Sequence, residues 1–272
     1  MNNYILYAIL ILTGLLGTYA IIPLFRSLLI ESNVLRPNYK KDMIPVSMGI
    51  VFLPMLIINA IILAYFTTNF KDMLHIFIFL FGLVSMFFAG ILDDIIGNRD
   101  VSGLKGHFKS LLNGKLTTGG FKALFGGFIG LVISIAISKN IYDIVINTLI
   151  IALSTNLMNL LDLRPGRAIK GYLLISIVLL FTLGEYTRNL LLLIFPNVIA
   201  YFNQDLKAKM GDTGSNVLGI SIGILFVMGY PLKVRLIWLA FLIFIHILTE
   251  KYSLTKIIEN NKFLNFIDKL GR

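Results

Sequence analysis

From Met73 to Leu92 the chain runs twenty residues with His75 and Ser85 as its only polar side chains, and then two aspartates follow at once, Asp93 and Asp94. A run of that length suits a helix crossing the hydrocarbon core of a bilayer. Two adjacent carboxylates inside hydrocarbon would be very costly. At a helix end among headgroups they cost far less, and they offer a ligand pair to a hard divalent cation. Eight more apolar runs share the chain with this one. Together the nine lie near 4–25, 46–66, 73–92, 120–138, 141–160, 168–184, 189–202, 215–230 and 234–249. The sixth, seventh and eighth are short, so about nine helices are expected and a tenth is allowed. The expected fold class is therefore all-α: a polytopic transmembrane helix bundle, one domain over 1–272, with 250–272 as a polar tail.

Composition excludes the main rivals. With 57% hydrophobic and 14% charged residues, a soluble globular fold is not competitive. The net charge of +10 would suggest nucleic acid in a soluble protein. Here basic residues in short loops set orientation and meet anionic membrane lipids, so no nucleic-acid partner is expected. There is no cysteine, which rules out disulfides and thiolate chemistry, and three histidines alone argue against structural zinc. The segment Tyr4 to Phe25 lacks a basic leader and a small-residue cleavage site, and reads as the first spanning helix.

Lysine and arginine counts set the expected orientation. If the loop after the first run is cytoplasmic and sides alternate, nineteen cations fall inside and five outside (Lys71, Lys139, Arg188, Lys233 and Arg235). The positive-inside rule then puts the N-terminus out and the C-terminus in. Asp93, Asp94, Asp100, Asp162 and Asp212 gather on the cytoplasmic face. Asp72, Asp143 and Glu185 fall in outer turns, where capping or solvation is the default role. Carboxylates from separate helix ends thus meet on one side.

Four segments surround them. RPNYKKDMIPVSMG, Arg36 to Gly49, is a basic loop leading into a helix start, which reads either as an anion cradle containing Ser47 or as a positive-inside anchor. The loop from Gly97 to Gly120 carries glycines, Lys105, His107, Lys109 and Lys115, suited to phosphate or equally to lipid headgroups. Asn156, Asn159 and Asp162 share one helical stripe at the end of the fifth run. Such a stripe reads as cavity-facing or as inter-helix hydrogen bonding. Arg164-Pro165-Gly166-Arg167 then breaks the helix with two guanidinium groups whose planar forks fit phosphate. Met210-Gly-Asp-Thr-Gly-Ser215 puts Asp212 between glycines and two hydroxyls that could also cap a helix.

Taken together these motifs resemble the membrane family that transfers sugar phosphates to polyprenyl phosphate. Its members include the phospho-N-acetylmuramoyl-pentapeptide and undecaprenyl-phosphate GlcNAc-1-phosphate transferases. PVSMG is similar to its P-T-M-G-G, ILDD to its L-D-D, NLLD to its N-x-x-D, and MGDTGS to its M-G-D-x-G-S, in the family's order from Lys40 to about Gly219. The resemblance implies Asp93, Asp94 and Asp162 as catalytic carboxylates, and Asp212 with Asp94 as Mg²⁺ ligands. It implies Asn159 at the nucleotide, with Asn156, Ser47, Lys105, Lys109, Lys115, His107, Arg164 and Arg167 as further substrate contacts. The implied substrates are a UDP-amino sugar and polyprenyl phosphate, the implied place a bacterial cytoplasmic membrane, and a homodimer is compatible. A phosphate nucleophile is already ionised at neutral pH, so Asp93 is expected to position, or act as a weak base at most.

Two departures bear on activity. The family's D-G-x-D-G is here Asp162-Leu-Arg-Pro-Gly166, so Pro165 replaces an aspartate, and the family's histidine-rich loop is replaced by EKYSLTKIIENN. A catalytically silent relative that binds lipid phosphate or a partner enzyme is the alternative they admit. An ion-coupled transporter is a third class, disfavoured because the acids sit on one side only.

Overall fold

The computed structural model describes residues 3–38, 40–97, 106, 110–205 and 207–270. The apolar runs become helices α1 (Asn3–Glu31), α2 (Phe52–Phe66), α3 (Phe70–Ile96), α4 (Thr118–Ile137), α5 (Ile141–Leu161) and α6 (Arg167–Thr182). There follow α7 (Glu185–Leu192), α8 (Phe195–Tyr201), α9 (Gly211–Gly229) and α10 (Leu232–Lys251), and two short helices, α11 (Leu254–Asn260) and α12 (Lys262–Lys269), form a hairpin after them. A small antiparallel ribbon joins α1 to α2: β1 (Leu35–Pro37) and β2 (Met43–Pro45) pair Leu35 with Pro45 and Pro37 with Met43. The protein is an all-α, membrane-embedded bundle.

Among the described residues, seven helices are long and apolar enough to cross a membrane: α1, α2 with the 3-10 turn before it (Met48–Val51), α3, α4, α5, α9 and α10. The sixth run makes a helix of only 16 residues, α6. The single helix expected over 189–202 is two, α7 and α8, with the break at Leu193–Ile194 and Pro196 in the first turn of α8. Proline lacks an amide hydrogen and clashes with the preceding turn, so it suits a helix start and weakens a helix interior, although α1 accommodates Pro23 within its length. In the turns before α3 and α5 asparagines do the capping. Asn69 Oδ1 accepts from the Lys71 amide at 2.8 Å, and Asn140 Oδ1 from the Asp143 amide at 2.9 Å.

At the centre stands α9. Of its apolar stretch 83% is buried, against 11% for α10, which shows most of its surface outward as a lipid-facing helix should. The reason lies in its sequence: glycines and serines alternate with branched aliphatics, so neighbours can approach on every side. α5 and α3 pack along it, and α4 closes against both of those. α3 comes into backbone contact with α9 at Gly90, where a Cβ would lie 2.6 Å from Thr213 Cα and as close to the Asp212 carbonyl carbon. No side chain fits there. Gly90→Ala must push α3 off the start of α9, and is expected to destabilise the fold by about 1–3 kcal/mol, the usual cost of overpacking. Thermal unfolding in detergent checks this: a midpoint equal to that of the unmodified protein would mean the two helices are not in backbone contact.

Candidate functional site

The first amides of a helix have no intrahelical acceptor. At α9 Asp94 provides one from another helix. Its Oδ1 accepts from the Asp212 amide at 3.0 Å, and its Oδ2 from the Thr213 amide at 2.9 Å and the Thr213 hydroxyl at 2.6 Å. Ser47 donates a fourth hydrogen bond to Oδ2 at 3.1 Å. A negative charge here also lies at the positive end of the α9 dipole. Gly211, at φ +75°, passes directly beneath: a Cβ would meet Asp94 Oδ1 at 2.8 Å. Ser47 is held in the left-handed region, φ +65°, because the backbone on both sides of it is paired. The Lys209 amide donates to Pro45 O at 2.8 Å, and the Met48 and Gly49 amides donate to Lys209 O at 3.1 Å and Met210 O at 2.9 Å.

Asp93 points elsewhere, as the adjacent position on a helix must. The ammonium of Lys122 bridges it to Asp212, 2.8 Å from Asp93 Oδ2 and 2.6 Å from Asp212 Oδ2. These three side chains keep 12–24% of their surface exposed, so the bridge is half-buried and still reachable. The Asn159 amide completes the group. With its nitrogen turned to Asp212 it donates to Oδ1 at 2.6 Å, and its oxygen faces Lys122 Nζ at 3.3 Å. The hydroxyl of Ser215 lies 3.4 Å from the same amide.

Asp162 caps the end of α5 and is buried, and its Oδ2 has no hydrogen-bond partner among the described residues. Burial, and after it the charge of nearby Asp205, holds its carboxyl well above the ordinary aspartate range, with Lys209 opposing. Asp205 is also buried, and it ties two loops together. Its Oδ2 accepts from the Gly166 amide at 2.5 Å and its Oδ1 from the Met210 amide at 2.8 Å. The turn after α5 and the turn before α9 therefore share one acid.

The remaining expected site residues scatter. Asn156 is half-buried on α5, one turn before Asn159, and Lys115 is exposed. Among the described residues, Arg164 makes an open contact to Glu259, at 3.6 Å. Arg167, expected to reach a substrate phosphate, is buried with its fork committed to Asp268, at 2.8 and 2.9 Å, and to the Thr255 hydroxyl at 3.0 Å. Lys105, His107 and Lys109 lie outside the described residues. Asp94, expected beside Asp212 as a metal ligand, has both oxygens engaged by four protein donors. Among the described residues no group of three or more His, Cys, Asp or Glu side chains is arranged to hold a metal ion.

Sequence reasoning missed two residues of this cluster. Lys122 reads as one loop cation among many until Thr117 is seen to cap α4, accepting from the Gly120 amide at 3.0 Å and so placing the lysine within the helix. Asp205 had no motif around it. No protein-family model and no curated protein matches the chain.

The Asp162 carboxyl generates a pH prediction. A folded-state pKa raised above the unfolded value means the neutral form suits the fold. Its contribution is whole below the ordinary aspartate pKa and is lost as pH rises toward the folded value. Asp162→Asn, which stays neutral, should gain thermal stability relative to the unmodified protein as pH rises from about 4 to about 7. A difference that stays constant over that range would mean the carboxyl is solvated.

Proposed function

We propose that this chain is a phosphoglycosyl transferase that moves a sugar-1-phosphate from a UDP-amino sugar to polyprenyl phosphate and releases UMP. One observation carries the reading. The four segments that resemble the polyprenyl-phosphate N-acetylhexosamine-1-phosphate transferases, around Ser47, Asp93–Asp94, Asn159–Asp162 and Asp212, touch one another at a single end of the bundle. Spread over some 170 residues of sequence, they had no local reason to meet.

Both substrates are anions, so the chemistry needs charge neutralisation and alignment more than a strong base. Mg²⁺ belongs to the reading. Asp93 Oδ2 and Asp212 Oδ2 already converge on one cation, the Lys122 ammonium. A magnesium ion commonly takes one or two protein carboxylates and completes its shell with water and substrate phosphate, so this pair suits it without a third acid. Bound there, it would supply neutralisation of phosphate charge. Lys122 is the residue that passes from these acids to a substrate phosphate, and Asn159 orients Asp212. Asp94 sets the position of the whole group by holding α9.

The orientation, with N-terminus out and the cluster at the cytoplasmic face of a bacterial membrane, is part of the proposal. Its support is the nineteen-to-five cation asymmetry. A cysteine placed at Ser110 of this cysteine-free chain should resist impermeant thiol reagents in intact cells, and ready labelling there would reverse the orientation.

Pro165 and the commitment of Arg167 to Asp268 favour a second reading, a silent relative that binds lipid phosphate only. UMP release from a panel of UDP-sugars, with polyprenyl phosphate and Mg²⁺, separates the two. Asp212→Asn and Lys122→Met should each lower the rate by roughly a hundredfold or more, the scale of losing a preorganised charged group. No release with any sugar would leave the silent relative. Release undiminished in Asp212→Asn would sink the assignment of that carboxylate.

A further inference from the structure

The C-terminal hairpin has one side fixed and, among the described residues, one side exposed. Its inner side is clamped to the start of α6. Arg167 grips both oxygens of the buried Asp268, and Lys170 Nζ donates to the carbonyls of Ile267 at 3.1 Å and Asp268 at 2.8 Å. A cation on the last carbonyls of a helix satisfies them and complements its dipole. This fixes how α12 is rotated. The face turned away carries Phe263, Phe266 and Leu270, which are 70%, 66% and 51% exposed. Their spacing of three and four residues makes them one stripe. Lys262 and Lys269 lie four before and three after Phe266, so their ammonium groups flank the stripe on one edge.

Place in the fold says what medium this stripe meets. Only Tyr252 and Ser253 separate α11 from α10, whose Phe244 and Ile247 are 60% and 56% exposed on its lipid-facing surface. Tyr252, at 61%, continues that surface toward the hairpin. The hairpin therefore cannot stand far from the level at which α10 leaves the bilayer. Large apolar side chains with basic residues at their edge are the pattern of a helix lying in the interface plane, its lysine stems along apolar surface and their heads at the phosphates.

We propose that the α11–α12 hairpin is an interfacial lipid-binding element, with the Phe263–Phe266–Leu270 stripe in the headgroup–acyl boundary and Lys262 and Lys269 on anionic phospholipid headgroups. The inference does not rest on the catalytic reading. Its consequence is positional: through Arg167 and Gly166 the same clamp sets the depth of the turn after α5 relative to the membrane surface.

The full chain in bilayer nanodiscs tests it. Phe263→Trp in a Trp238→Phe background carries a single tryptophan, and Asn260→Trp in the same background is the control on the polar side. With acyl chains brominated near the headgroup, emission at position 263 should shift to the blue and lose intensity, while emission at 260 should stay that of an exposed indole. Adding phosphatidylglycerol to phosphatidylcholine should strengthen the quenching. Lys262→Gln and Lys269→Gln should each weaken that dependence, by roughly fivefold in the ratio of engaged to free hairpin. An unquenched, water-exposed indole at 263 in both lipids would overturn the proposal and leave the stripe to a protein partner. Quenching that is equal in the two lipids would overturn the anionic component.

Discussion

The carboxylate of Asp94 on the first amides of α9 is the contact on which the rest depends. α9 is the most enclosed helix of the bundle, and its start lies where water cannot fully solvate the orphaned N–H groups. Leaving a buried donor unsatisfied costs about 1–3 kcal/mol, more than a typical hydrogen bond contributes. One acid from α3 satisfies two such amides and a hydroxyl, and takes Ser47 as well. Three points of the chain, at 47, 94 and 212, are thereby fixed relative to each other. Gly90 and Gly211 are consequences of it. Each removes a side chain from the path along which α3 must approach α9 for the carboxylate to reach.

That contact also explains why the two adjacent aspartates differ. Successive residues on a helix point about 100° apart, so only one of the pair can face α9. Asp94 does so and becomes structural in effect. Asp93 is left to face α4, where Lys122 meets it. Nothing local in the sequence says which side of α3 the buried partner will take; the resemblance had implied Asp94 as a metal ligand and Asp93 as a positioning group or weak base.

The same limit divides what was legible from what was not. Spanning helices announce themselves by length and hydropathy, and acids at helix ends by the cost of placing them anywhere else, so the bundle and the gathering of Asp93, Asp94, Asp162 and Asp212 were readable. Contacts between distant segments with no motif of their own were not. Asp268 reaches Arg167 across 101 positions, and a polar tail gave no hint that it would fold back as a helix and occupy that guanidinium. Lys122 was hidden differently: a count of loop cations treats every lysine near a helix end alike, and only the cap at Thr117 turns this one inward. The break at Leu193–Ile194 was signalled by Pro196, but the apolar residues around it masked the signal.

Sorting the acids by how well they are satisfied leads to the site's chemistry. Asp94 is saturated by four donors, and Asp205 is anchored to two backbone amides. Asp162 is buried with an oxygen lacking a partner and with its carboxyl held toward the neutral form. What remains is Asp93 and Asp212, two carboxylates on one ammonium. With both carboxylates ionised, that trio has a formal excess of one negative charge, which repels a phosphate. A phosphate entering alone would have to draw Lys122 away and leave both acids facing each other uncompensated, at greater cost still. A divalent cation bound with the phosphate would be held by Asp93 and Asp212 and would supply neutralisation of the phosphate charge, leaving Lys122 for the anion. On the proposed function, binding of metal and of nucleotide sugar should therefore be coupled, each tightening the other by the same factor as linkage requires. The structural basis of that coupling would be the one lysine both must move.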